Sequence, residues 1–116
     1  MGIPLIVDTD PGVDDAYALT LALSDPDVDV LAVSTVFGNV GIDATTGNAC
    51  RVLGLLGRVD VPVGRGAGRP LVHPAPERAV AVHGTDGLGG RAADFGEPGG
   101  VVVRRALDVV VEALEA

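Results

Sequence analysis

The chain has no lysine: all eight basic residues are arginines, set against 16 acidic ones for a formal net charge of -8 in 116 residues. That balance argues against a nucleic-acid backbone or an anionic membrane surface as a partner. There is a single cysteine, Cys50, so no intrachain disulfide can form. It sits at helical spacing with Ala49, Val52 and Leu53 and reads as a small core residue, since nothing nearby would lower its thiol pKa. No apolar run approaches the roughly 18 positions that a membrane helix needs. The first apolar run is short, lacks a basic leader and feeds directly into aspartates, unlike a signal peptide. A cytoplasmic location is the expectation. Internal repeats are absent too, and with 47% hydrophobic residues the chain fits one small domain with a core.

What the sequence does have is a dense acidic stretch. Leu5, Ile6 and Val7 form a short apolar run suited to a buried parallel strand, and Asp8, Asp10, Asp14 and Asp15 follow, with Pro11 and Gly12 marking a turn between them. Ala16, Leu19, Ala22 and Leu23 then recur at helical spacing, which puts Asp14 and Asp15 in the first turn of a helix, where its dipole favours carboxylates. Clustered carboxylates repel one another unless a cation sits among them or some take up protons. Neighbours on a helix point about 100° apart, so Asp14 and Asp15 cannot address one point equally: one suits a metal, the other a substrate. The plainer alternative is that Asp14 caps the helix and the other acids are solvated.

Further along, Val28 to Val36 is apolar in both phases, as in a strand covered on two faces, with Val28, Val30, Ala32, Ser34 and Val36 in one phase. Asp43 is a candidate N-cap for a helix bearing Ala49, Val52, Leu53 and Leu56, and Gly57 a candidate C-cap. Val61-Pro62-Val63 suggests a third strand. Strand, helix, strand, helix, strand implies a parallel sheet with right-handed crossovers, whose ligand crevice lies beyond the carboxyl ends of the strands. Asp8 and Asp10, Asn39 and the loop carrying His83 would all reach that edge. Residues 64–100 lack periodicity and predict an ordered loop, part of it covering the site. From Val101, the positions Val103, Ala106, Leu107, Val110, Val111 and Leu114 predict an amphipathic helix over 101–116.

The stretch Asp8-Thr9-Asp10-Pro11-Gly12-Val13-Asp14-Asp15-Ala16 resembles the N-terminal signature of the nucleoside hydrolases. Phe37-Gly38-Asn39-Val40, Asn48-Ala49, Pro62-Val63-Gly64, Arg69-Pro70-Leu71 and His83-Gly84-Thr85-Asp86-Gly87-Leu88-Gly89 extend the resemblance in the family's order. It implies an α/β fold with a Rossmann-like parallel open sheet and flanking helices, here a single, incomplete (truncated) domain over residues 1–116. The implied activity is hydrolysis of the N-glycosidic bond of ribonucleosides, to ribose and free base, by a calcium-held water. By the same resemblance Asp10 is metal ligand and general base, Asp15 the bidentate calcium ligand, and Asp8 a ligand or an orienter behind it. Asp14 and Asn39 would bind ribose hydroxyls, and His83 would lie near the nucleobase and assist its departure. His83 can also be read as a loop histidine with a structural hydrogen bond, and His73 has no motif and reads as structural.

The family's remaining calcium ligands lie later in its chains than residue 116, so weak calcium binding is expected, as is either self-association or completion by a second chain through an open sheet edge. A non-catalytic remnant or half of a split enzyme is the main alternative. Strand-Asp8-Thr9-Asp10 also resembles the nucleophile motif of haloacid-dehalogenase-type phosphatases, but those rely on a lysine, and the Asn39 and His83 segments would go unexplained.

Overall fold

The computed structural model describes residues 2–74 and 80–116; residues 75–79, within the predicted loop, lie outside the described residues. Four strands form one parallel sheet in the order β1-β2-β3-β4: Ile3–Thr9 (β1), Val28–Thr35 (β2), Val63–Arg65 (β3) and Val103–Arg105 (β4). Helices Val13–Ser24 (α1) and Ile42–Leu55 (α2) supply the first two crossovers. A short helical turn, Val80–His83 (α3), and a 3-10 turn, Ala92–Phe95, punctuate the long connection to β4. Ala106–Glu115 (α4) follows β4 directly.

The main core lies between α1, α2 and one face of the sheet. Leu19 and Leu23 of α1 meet Ala49, Val52 and Leu53 of α2 over Val30, Val33 and Val63, and Cys50 is buried among them, with burial raising its thiol pKa despite the nearby Arg51 charge. Strand β2 does not alternate as its sequence suggests. The ladder pairs Leu5 with Val30 but Ile6 with Ala32, so Leu31 is an extra residue and the phase of β2 flips there. Val30 and Val33, three apart, therefore enter the same core, while Ala32 and Ser34 turn to the other face. The flip fixes which side chains β2 presents where the strands end.

That other face carries α4. Gly64 of β3 admits the helix closely: a side-chain carbon there would lie 2.6 Å from Ala106 Cα and 3.3 Å from Val109 Cβ. The C-terminal segment differs from expectation in two respects. Its helix begins at Ala106, because Val103–Arg105 is drawn into the sheet beside β3. The buried residue is Val109, at 1% exposure, whereas Leu107 and Leu114 of the predicted stripe are 65% and 72% exposed. The reason is geometric: only the side of α4 facing β2 and β3 finds a partner among the described residues. Helix α2 also starts earlier than predicted, with Gly41 rather than Asp43 at the N-cap; Gly57 follows the C-cap with φ of 67°, as a helix-ending glycine should. No helix among the described residues is long and apolar enough to cross a membrane.

Candidate active site

The site forms at the carboxyl end of β1, where the chain turns through Asp10-Pro11-Gly12 into α1. Parallel pairing sets the spacing: the Val36 N–H donates to the Thr9 carbonyl (3.1 Å), bringing the segment after β2 alongside the aspartate turn. Asn39 then clamps Asp10 at two points, its backbone N–H donating to Asp10 Oδ2 (2.9 Å) and its Nδ2 to the Asp10 carbonyl (3.0 Å). Asp15, in the first turn of α1, reaches back toward the strand. Its Oδ2 accepts from the Thr9 hydroxyl and from the Asp10 N–H (3.1 Å).

Asp15 is the strained charge of the cluster. Burial pushes its carboxyl above the ordinary aspartate value, the Asp10 and Asp14 charges push the same way, and the Thr9 hydroxyl and Asp10 N–H pull it back. Asp14 points outward, with its side chain 79% exposed and Oδ1 3.8 Å from His83 Nδ1. His83 is buried, and its Nδ1 accepts the backbone N–H of Val13 (2.9 Å), the first residue of α1. In the neutral ring that bond leaves the proton on Nε2. Gly12 is where the parts meet: a Cβ there would collide with the His83 ring and come within 2.7 Å of Asn39 Nδ2.

Thus Asp10, Asp14, Asp15, Asn39 and His83, from three separated segments, share one rim. Asp8 is set apart from them. Val7 packs into the main core, so strand alternation turns Asp8 to the opposite face, where Oδ1 accepts the Ser34 hydroxyl (2.6 Å). The rim is open. One cleft lies between α1 and the 3-10 turn and another between α4 and β1, and neither is lined by Asp10, Asp14, Asp15, Asn39 or His83.

For a hard divalent cation the donor chemistry fits but the number is short. Asp10 and Asp15 are carboxylates beside one another, and a bound cation would offset the burial of the Asp15 charge as well as its repulsion from Asp10 and Asp14. Among the described residues, however, no three acidic, histidine or cysteine side chains converge to hold a metal. Two residues given no role by sequence reasoning also belong here. Asn48 and Asp86 tie the His83 loop to the aspartate turn. The signal for Asn48 was available, as an amide placed among the apolar residues of α2.

Known proteins share this sequence and fold. A non-specific ribonucleoside hydrolase of Escherichia coli is 44% identical over 90 residues, covering 78% of this chain and 29% of its own length. The solved structure of an inosine-guanosine nucleoside hydrolase matches with a TM-score of 0.85 at 36% identity, over 99% of this chain and 34% of that one. A purine-preferring ribonucleoside hydrolase from Gardnerella vaginalis matches with a TM-score of 0.84 at 26% identity, over 97% of this chain and 36% of that one. The chain thus spans about a third of the length of these relatives. Residues 5–116 match the model of one family from near the first strand to the last helix, and the chain belongs to that family, the inosine-uridine preferring nucleoside hydrolases.

Proposed function

We propose that this chain carries the cation- and ribose-binding part of a site that hydrolyses ribonucleosides to ribose and free base. The observation that carries the reading is the meeting of Asp10, Asn39 and His83 around Gly12, with Asp14 and Asp15 in the helical turn that follows. Asp10 Oδ2 is committed to the Asn39 N–H, so Oδ1 is the atom that takes the proton from the attacking water. Asp10 and Asp15 would hold calcium, Asp10 through Oδ2, whose second lone pair remains beyond the Asn39 N–H, and Asp15 through Oδ1, which its donors leave unengaged. When bound, calcium supplies positive charge that eases the water's deprotonation and accepts oxygens of the sugar.

Asn39 uses Nδ2 on the Asp10 carbonyl and keeps Oδ1 for a ribose hydroxyl; exposed Asp14 accepts another. As the bond to the base breaks, the sugar gains oxocarbenium character, which the neighbouring carboxylates stabilise. The base leaves more readily when it accepts a hydrogen bond. His83, with Nδ1 filled by the Val13 N–H, presents Nε2–H as that donor.

The test is release of reducing sugar from inosine and uridine by the purified chain with calcium. Activity that Asp10→Asn lowers about 10²–10⁴-fold, the usual worth of a general base, supports the reading. Absence of release at high protein concentration favours the second reading, a non-catalytic remnant or half-site. Calcium titration separates the two further. With Asp10 and Asp15 alone, a dissociation constant of about 10⁻⁴–10⁻³ M is expected, and micromolar binding would contradict the half-filled shell. A second copy or a complementing chain would pair along β1 or β4, the two edge strands, where Ile3 is 68% and Val103 44% exposed. Mass measurement in solution distinguishes a lone chain from either.

A further inference from the structure

The loop that bears His83 is anchored in the core by Leu88 and Ala92, and a buried amide ties it to the aspartate turn. Asn48 of α2 is fully buried (0% exposed). Its Nδ2 donates to the Asp86 carbonyl (2.7 Å) in the His83 loop and to the Pro11 carbonyl (3.2 Å) in the aspartate turn. Its Oδ1 accepts from Arg51 Nη1 (3.2 Å), and because arginine only donates, that bond fixes which end of the amide is oxygen. Both amide hydrogens are therefore spent on joining Pro11 and Asp86, 75 positions apart in the sequence.

We propose that Asn48 is the positioning residue that sets His83 against the aspartate turn. The loop closes on the amide tightly. Gly87 has φ of 83°, and a Cβ there would lie 2.8 Å from Asn48 Nδ2 and 3.1 Å from the Pro11 carbonyl oxygen. Asp86, whose backbone carbonyl takes the stronger-looking bond, uses its carboxylate to hold the rest of the loop: Oδ1 accepts the N–H groups of Leu88 and Gly90 (both 2.9 Å) and Oδ2 that of Ala92 (3.0 Å). The carbonyl of His83 in turn accepts the Gly89 N–H (2.8 Å). A chain of bonds thus runs from α2 through Asp86 to the histidine, and Nδ1 of that histidine ends it on the Val13 N–H. Losing the two amide donors frees the loop from Pro11, so the ring loses its fixed seat and its single tautomer.

The role of Asn48 rests on the hydrolase reading of His83, but the placement of the ring is tested without turnover. The imidazole of His83 is followed by nitrogen-detected NMR at a pH where the ring is neutral, together with hydrogen exchange of the Val13 amide. The unmodified chain is expected to give the pure Nε2–H pattern. Asn48→Asp, which keeps the shape and removes both donors, should give a mixed tautomer pattern and at least tenfold faster exchange at Val13. Val52→Ala, in the core on the same helix, should weaken the whole fold yet leave the tautomer pattern intact. A pure Nε2–H pattern in Asn48→Asp, or an equal loss of it in Val52→Ala, overturns the proposal. Should Asn48→Asp fail to fold, the unmodified chain decides: the Asn48 amide hydrogens and the Val13 N–H are expected to exchange through one shared opening, and a Val13 N–H that exchanges far faster than the Asn48 amide overturns the proposal. If the tautomer shifts as expected while no ribose is released, the hydrolase reading fails for this chain and the placement stands. If ribose is released, Asn48→Asp should lower kcat with KM for the nucleoside little changed.

Discussion

Residues 3–65 and residues 80–102 reach the same rim by different means. The first segment is a run of strands and helices whose aliphatic side chains, such as Leu19, Val33 and Leu53 at 0% exposure, are packed out of water. The second holds its shape largely by hydrogen bonds to its own backbone, through Asp86 and Asn48, with Leu88 and Ala92 as its buried apolar anchors. In the framework, many interchangeable contacts share the work, and no one side chain defines the shape. In the loop, a few polar groups define it, so single atoms matter. In the proposed site, the framework would hold the carboxylates and the loop would bring His83 to them.

The sharpest way to break the comparison is a core cavity. Leu53→Ala is expected to cost about 2–5 kcal/mol, the range for a buried leucine, and to loosen rim and loop together because both stand on the framework. Urea unfolding gives the size, and loop exchange rates that stay unchanged would show that the loop is held independently. Next in size, Gly64→Ala should cost about 1–3 kcal/mol by forcing a methyl group against the Ala106 backbone, displacing α4 while the core under α1 and α2 stays packed. Asp86→Ala reverses the pattern: hydrogen exchange at Leu88, Gly90 and Ala92 should accelerate by about one to two decades, in line with hydrogen bonds to a charged acceptor worth roughly 1.5–3 kcal/mol, while Val33 and Leu53 exchange as before.

The same contrast explains what could be read from the residues alone. Helix α1 and the strand leading into Asp8 follow from apolar periodicity, and the order of strand and helix is enough to bring Asp10, Asn39 and His83 to one sheet edge. The bulge at Leu31 is invisible in that pattern, because Leu31, Ala32 and Val33 are all apolar and either phase satisfies burial. The start of α4 at Ala106 differs from the periodicity for a related reason. Val101, Val102 and Val103 suit a strand as well as a helix, and pairing with β3 decides. Asn48 and Asp86 were visible as letters but not as a brace, since their bonds span thirty-eight positions and depend on a turn that glycines shape. The set-apart position of Asp8 follows from strand alternation, which the density of acids obscured.

The smallest effect concerns pH and runs in opposite directions in the two regions. Burial disfavours the charged form of Asp86, but the N–H groups of Ala92, Gly90 and Leu88 outweigh it and hold the carboxyl below its ordinary 3.8. Its stabilising contribution is therefore full above that value and is lost as pH falls toward the folded pKa. Asp15 is raised, with burial first among the causes and the Asp10 and Asp14 charges adding to it, so its ionised form costs stability at neutral pH and the cost is relieved as pH falls through the raised value toward 3.8. Removing the charge by Asp15→Asn should accordingly make the metal-free chain more stable at pH 7, an advantage that shrinks on acidification. The loop amides at Leu88, Gly90 and Ala92 should hold their protection over that interval and lose it only at lower pH. Urea unfolding of the two chains from pH 7 to pH 3, with exchange at those amides alongside, measures both slopes. An Asp15→Asn chain that is less stable at pH 7 would mean that the hydrogen bonds from Thr9 and Asp10 outweigh the crowding of charge at the rim.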